Sequence, residues 1–164
     1  MILVSSCSKT PPIIVPEFNT ATEQYIFAKS LKDRLVMERP KGREKKTYEK
    51  ALILAYKRVI DQFPEDTRVT PLAWVDLAET HYRLEEYEKA ADLYEKAIQK
   101  YPQQDDILCK ALFGAGLSHD KLKNFRLALS YYKQCYQRFE NDPRSHIAII
   151  GQHARINYSR IRVK

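Results

Sequence analysis

The chain repeats itself at a spacing of 38 residues. Leu77, Ala78, His81, Leu84, Tyr87, Ala90, Tyr94, Ala97 and Tyr101 recur as Ala115, Gly116, His119, Leu122, Phe125, Ala128, Tyr132, Cys135 and Phe139. A fainter copy comes earlier, with Tyr56, Val59, Ile60, Phe63 and Pro64 in the places of Tyr94, Ala97, Ile98, Tyr101 and Pro102. A repeated helix pair cannot bury its apolar face alone, so the copies must stack on one another. Stacks of this kind usually hold partners and seldom do chemistry, so the question becomes which partner and where.

The length of 164 residues suits one domain, and 44% apolar residues with only four glycines favour helices over a turn-rich β fold. Three cysteines form neither a disulfide framework nor a metal spacing. The net charge of +7 is unevenly spread, because residues 61–108 carry five bases and twelve acids. From Arg144 onward there are five bases, Arg144, Arg155, Arg160, Arg162 and Lys164, and no acid. These read as solvated helix faces or as a basic surface that meets an acidic partner or anionic lipid. No nucleic-acid motif accompanies the charge, so nucleic acid is not expected as a partner.

The N-terminus reads Met1-Ile2-Leu3-Val4-Ser5-Ser6-Cys7-Ser8. Val4-Ser5-Ser6-Cys7 resembles a bacterial lipobox, in which small residues fit a peptidase and the cysteine thiol takes a lipid. Six residues are fewer than a working signal needs ahead of that cysteine, so residues 1–19 read as a truncated lipoprotein signal and a Pro-containing tether. Lipidation of Cys7 is the expectation. A chance apolar start on a cytosolic adaptor is the alternative. No segment is long enough to span a bilayer as a helix.

Seven helices are predicted over 20–164. Thr20-x-x-Glu23 is a capping box that opens the first, ending near Met37. Arg39-Pro40-Lys41-Gly42 breaks it, and a second helix runs from about Arg43 to Phe63. Thr70-Pro71 and Asp142-Pro143 read as caps followed by Pro at the first helical position, and Asp105 or Asp106 caps the helix between. The resulting pairs span about 20–64, 71–102 and 107–140, with a capping helix over about 143–160 whose apolar face is Ile147, Ile150, Ala154 and Tyr158. Ala78 and Gly116 are small enough to let paired helices approach Ala90 and Ala128 closely.

The spacing of Trp74, Leu77, Ala78, Ala90, Tyr94, Ala97 and Pro102, and then of Leu112, Ala115, Gly116, Ala128, Tyr132 and Cys135, resembles the tetratricopeptide repeat. The resemblance implies an all-α fold of antiparallel helix pairs in a right-handed superhelix, about three repeats and a C-terminal capping helix. With the lipobox and tether, the chain resembles bacterial envelope lipoproteins of this class. The nearest is the BamD family, which helps insert β-barrel proteins into the outer membrane. The periplasmic repeat domain of the Tol-Pal-associated coordinator is nearly as close, and peptidoglycan coordination is the matching alternative role. Partners are then other proteins, with membrane contact through the N-terminal lipid at the periplasmic face of the outer membrane.

In that family the first helix of each repeat lines a concave groove. The implied groove residues are Leu72, Val75, Glu79, Tyr82 and Arg83, then Lys110, Phe113, Leu117, Asp120 and Lys121. Val75, Phe113 and Leu117 suit an extended or helical peptide with apolar anchors. The family's carboxylate clamp needs Lys and Asn where Val75 and Glu79 stand, so capture of chaperone tails is not expected. No Gly-rich phosphate loop, HExxH or Gly-x-Ser-x-Gly occurs, so no catalysis, cofactor, metal or small-molecule substrate is expected. His81 and His119, at equivalent positions, read as structural. His146 and His153 read as a surface pair. Cys109 and Cys135 read as buried thiols, with a disulfide as the alternative in an oxidising compartment.

Overall fold

The computed structural model describes residues 11–163. The expectations for Cys7 and Lys164 lie outside the described residues. Within them are seven α-helices and no strand: α1 (Ala21–Met37), α2 (Gly42–Gln62), α3 (Thr70–Arg83), α4 (Tyr87–Lys100), α5 (Asp105–Lys121), α6 (Phe125–Phe139) and α7 (Ser145–Arg162). No described helix is long and apolar enough to cross a membrane. Where one repeat domain was expected over 20–164, the chain divides into two compact units, ending at Phe63 and beginning at Pro64.

In the first unit α1 and α2 form a hairpin. Thr20 opens α1 as the capping box predicts, its hydroxyl oxygen accepting from the Glu23 amide at 3.2 Å while its O–H donates to the Glu23 carboxylate at 2.7 Å. Residues 15–18, expected to belong to a tether, pack on this hairpin. Val15 is buried, its carbonyl accepts from the Arg58 guanidinium, and Arg58 also pairs with Glu17 at 3.6 Å. The Phe18 amide donates to Gln24 Oε1 at 3.3 Å, and the Phe18 ring lies 5.8 Å from that of Phe27. A β-branched apolar residue next to Pro16 thus docks on the hairpin instead of extending away from it.

In the second unit α3–α4 and α5–α6 are successive hairpins, and α7 packs on α6 and α5. The 38-residue period reaches down to single hydrogen bonds. Glu85 and Lys123, 38 apart, both adopt left-handed backbone at φ 61°. Around them the Glu86 amide donates to the His81 carbonyl at 3.0 Å, and the Asn124 amide to the His119 carbonyl at 2.8 Å. The Glu85 and Lys123 amides donate to Tyr82 and Asp120 at 3.0 Å each. This is the Schellman closure, which satisfies the last carbonyls of α3 and α5.

The helix starts differ from expectation by a residue or two. Thr70 is buried as the first residue of α3, behind an N-cap at Val69. The cap function comes from Asp66 in the loop, whose Oδ1 accepts from the amides of Val69 at 2.7 Å and Arg68 at 3.0 Å. Asp142 does the same before α7, accepting from the Arg144 amide at 2.9 Å. Asp105 and Asp106 lie in the first turn of α5, behind Gln104, where negative charge meets the helix dipole.

One core runs between α3, α4 and α5 through Val75, Ala78, Ala90, Tyr94, Ala97 and Ala111. A second joins α5, α6 and α7 through Leu112, Ala128, Tyr132, Cys135, Phe139, Ile147 and Ala154. Gly116 is set against the Tyr132 ring, where a Cβ would come within 2.6 Å. Cys109 and Cys135 are buried free thiols. The Cys135 thiol faces the Cys109 carbonyl at 3.6 Å, and its contact with the Cys109 side chain together with burial pushes its pKa far up, so it stays protonated.

Candidate partner-binding cleft

A cleft of about 500 Å³ opens between the first helices of the two hairpins. α3 supplies Val75, Asp76, Glu79, Tyr82 and Arg83, and α5 supplies Lys110, Phe113, Gly114 and Leu117. The spacings of three and four within each set put every contribution on one helical face. Tyr94 reaches in from α4 and Ile150 from α7. Neither Tyr94, a repeat marker, nor Ile150, outside the repeats, was legible as a cleft residue. Gly114 has a clear packing reason, since a Cβ there would meet the Tyr94 ring at 2.3 Å.

Val75 is 7% exposed and belongs to the core, so it forms floor rather than anchor. Phe113 and Leu117 are half-buried and offer apolar surface. The Phe113 ring is held between Tyr132 at 6.0 Å and His153 at 6.4 Å. At the rim Arg83 donates to Glu79 Oε1 through Nη2 at 2.8 Å and Nε at 3.2 Å. Burial raises the Tyr94 phenol, with the Glu79 and Asp76 carboxylates adding to it, and burial also raises Tyr82. Both hydroxyls therefore stay protonated and able to donate at neutral pH.

Three predicted groove positions lie elsewhere. Leu72 lines a neighbouring depression with Arg68, Gln104 and Ile107. Lys121 is exposed beyond the cleft. Asp120 is turned to Arg160 of α7 and forms an ion pair with it.

The C-terminal arginines are mostly engaged within the unit. Arg144 reaches Asp105 at 2.8 Å, Asp142 at 2.9 Å and Asp106 at 3.6 Å. Arg155 pairs with Glu140 at 3.3 Å, and His146 with Asp106 at 2.7 Å. Only Arg162 of the described four is exposed outside these pairs. The basic helix is therefore strapped to the acidic start of α5, the end of α5 and the end of α6. The arrangement predicts an acid transition. The Arg144 hydrogen bonds hold the Asp105 carboxyl below its usual range and Asp142 down to about 2. Carboxylates depressed in the fold contribute stability above about pH 4, which is lost as pH falls through the folded value. Thermal melts followed by circular dichroism are expected to fall in midpoint between about pH 4 and pH 2, and Arg144→Ala should flatten that fall.

The two repeat histidines have structural partners, though different ones. His81 Nδ1 meets Glu86 at 2.5 Å across its own turn. His119 Nε2 meets Glu95 of α4 at 2.8 Å, and Glu95 also accepts from the Tyr131 hydroxyl at 3.0 Å. The Tyr131 ring stacks on His119 at 5.6 Å. These contacts join one hairpin to the next. Among the described residues no group of three or more His, Cys, Asp or Glu could hold a metal ion.

Residues 69–141, spanning α3 to α6, match the tetratricopeptide repeat family. Among solved structures, the chain is similar to the N-terminal domain of stress-induced protein-1 (STI-1) from C. elegans. That likeness has a TM-score of 0.57 at 18% identity and covers 84% of this chain and 99% of that one. No curated protein matches the sequence. At such identity the likeness carries the fold alone, and the fold is all-α and of the tetratricopeptide type.

Proposed function

We propose that this chain is a non-catalytic scaffold that holds a partner protein by an extended or helical segment laid in the α3–α5 cleft. The carrying observation is the cleft itself, with half-buried Phe113, Leu117 and Ile150 between charged rims. Apolar anchors give such a segment its affinity, and the rims of Asp76, Glu79, Arg83 and Lys110 set its register. Rigid hairpins present this surface at little entropic cost.

The setting in this proposal is the bacterial periplasm, with a lipid on Cys7 holding the chain to the outer membrane and a role in β-barrel protein assembly. The Val4-Ser5-Ser6-Cys7 tract and the prolines that follow support it. Two measurements test the two halves separately. Full-length protein from detergent-solubilised native membranes is expected to begin at a diacylglycerol-modified Cys7 and to carry an outer-membrane assembly component cross-linked from a photoreactive residue at position 117. Leu117→Glu is expected to weaken that association about tenfold or more, by placing a carboxylate in the apolar contact. An unmodified N-terminal Met1 in a soluble fraction overturns the envelope setting. Association unchanged by Leu117→Glu overturns the cleft.

A further inference from the structure

The outer side of α2 is basic along most of its length. Arg43, Lys46, Lys50, Leu54 and Lys57 stand at spacings of three and four, so they share one face. All five are exposed, while Leu52, Ala55, Tyr56 and Val59 on the opposite side are buried. The row is about 21 Å long. The carboxylate on its line, Asp61, comes a turn beyond Lys57. At the turn between α1 and α2, Arg39 and Lys41 add two more exposed cations. Lys45 is paired with Glu49 and Arg58 with Glu17. Arg39, Lys41, Arg43, Lys46, Lys50 and Lys57 stand outside every ion pair among the described residues. This arrangement works against the helix. Like charges three and four apart repel. Lys41 and Arg43 also place positive charge at the start of α2, where the helix dipole is already positive.

We infer that the outer face of α2, with the turn before it, docks on the surface of an anionic phospholipid bilayer. Cations alone would suit any polyanion, and the apolar side chains among them select the occupant. Leu54 is 45% exposed within the row, and at the end of α1 Val36 is 51% and Met37 82% exposed. At a bilayer such side chains enter the boundary between headgroups and acyl chains. Lysine and arginine stems lie along the same boundary while their charged ends meet lipid phosphates. A nucleic-acid backbone offers the phosphates but leaves Leu54 and Met37 in water. An acidic peptide needs a groove to be held in, and the side of a helix standing out to solvent provides none. Six unneutralised cations in one patch fall within the range of about four to eight that marks attraction to anionic lipid. The opposite face of α2 is committed to the hairpin core, so the helix lies along the membrane and does not enter it. The inference rests on neither the α3–α5 cleft nor a lipid on Cys7.

The test uses the full chain carrying Cys7→Ser, so that no acyl chain contributes. Co-sedimentation with vesicles of phosphatidylcholine containing about 30% phosphatidylglycerol is expected to show binding, and vesicles of phosphatidylcholine alone none. The binding should weaken as salt rises, because exposed charges are screened. Lys46→Glu/Lys50→Glu/Lys57→Glu should lower the affinity about tenfold or more. Met37→Ser/Leu54→Ser leaves the charge unchanged and should still lower it about threefold or more. These positions are exposed, so both variants should melt as the parent does. Lys121→Glu/Arg126→Glu/Lys133→Glu makes the same change of charge at exposed positions of the second unit and should keep the binding. An equal loss there would mean that binding follows net charge alone and would overturn the inference. Full binding by the α2 triple variant, or equal binding to both kinds of vesicle, also overturns it. Parent-like binding by Met37→Ser/Leu54→Ser would make the face a general polyanion surface and overturn the assignment to lipid.

Discussion

Replacing Gly151 with alanine is expected to destabilise the second unit by ~1–3 kcal/mol, although alanine is the better helix former. Gly151 sits in the middle of α7, where that exchange in an exposed helix would gain about 1 kcal/mol. Here a Cβ would stand 2.4 Å from the Glu140 amide nitrogen and 2.6 Å from the Phe139 carbonyl carbon. These are backbone atoms at the end of α6, and the Glu140 amide is itself committed to the Tyr136 carbonyl at 3.0 Å. No rotamer change relieves the contact, so α7 must move off α6. That loosens Ile147 and Ala154 in the core and strains the Arg155–Glu140 pair. Urea unfolding of the full chain measures the effect. An unchanged or raised midpoint would mean that α7 does not pack on α6 at this glycine.

Much of the second unit was legible because its sequence signals are local. Recurrence at 38 residues marks the same two turns, and the structure closes both with the same hydrogen bonds around Glu85 and Lys123. The repeat markers Tyr94, Ala97 and Tyr132 and the thiol of Cys135 are all buried in the core. The arginines of α7 were harder to read. Their carboxylates, Asp105, Asp120 and Glu140, lie 15 to 40 residues earlier, and no local pattern joins them. A charge run therefore looked like open surface when most of it straps a helix down. Ile150 escaped notice as a cleft residue for a related reason, because it comes from a helix outside the repeats. Asp66 acts from the loop ahead of α3, so Thr70-Pro71 marked the right place with the wrong cap residue, whereas Asp142 does accept a backbone amide, from the Arg144 N-cap two residues on. In the first unit Val15 read as tether because nothing nearby in sequence announces Arg58, which holds its carbonyl.

Tyr132→Ala is expected to destabilise the second unit by ~3–5 kcal/mol, whereas Tyr132→Phe should cost nothing and can raise stability by up to about 1 kcal/mol. The ring is fully buried at the junction of α5, α6 and α7. It lies against Gly116 and 6.0 Å from Phe113, so removing it opens a cavity beneath the cleft as well as in the core. The hydroxyl is a different matter. It is buried with no protein hydrogen-bond partner, and burial, together with the Asp120 carboxylate, keeps it protonated. A buried polar group without a partner costs free energy that phenylalanine does not incur. The two substitutions thus separate ring packing from hydroxyl bonding at one position. Gly116 supplies the cross-check. Gly116→Ala should be harmful in the parent, where its Cβ would meet the ring at 2.6 Å, and tolerated once the ring is gone in Tyr132→Ala. A double-mutant cycle by urea unfolding should return a coupling of at least about 1 kcal/mol. Additive effects would mean that the two residues do not touch, and that the close approach of α5 and α6 at Gly116 has another cause.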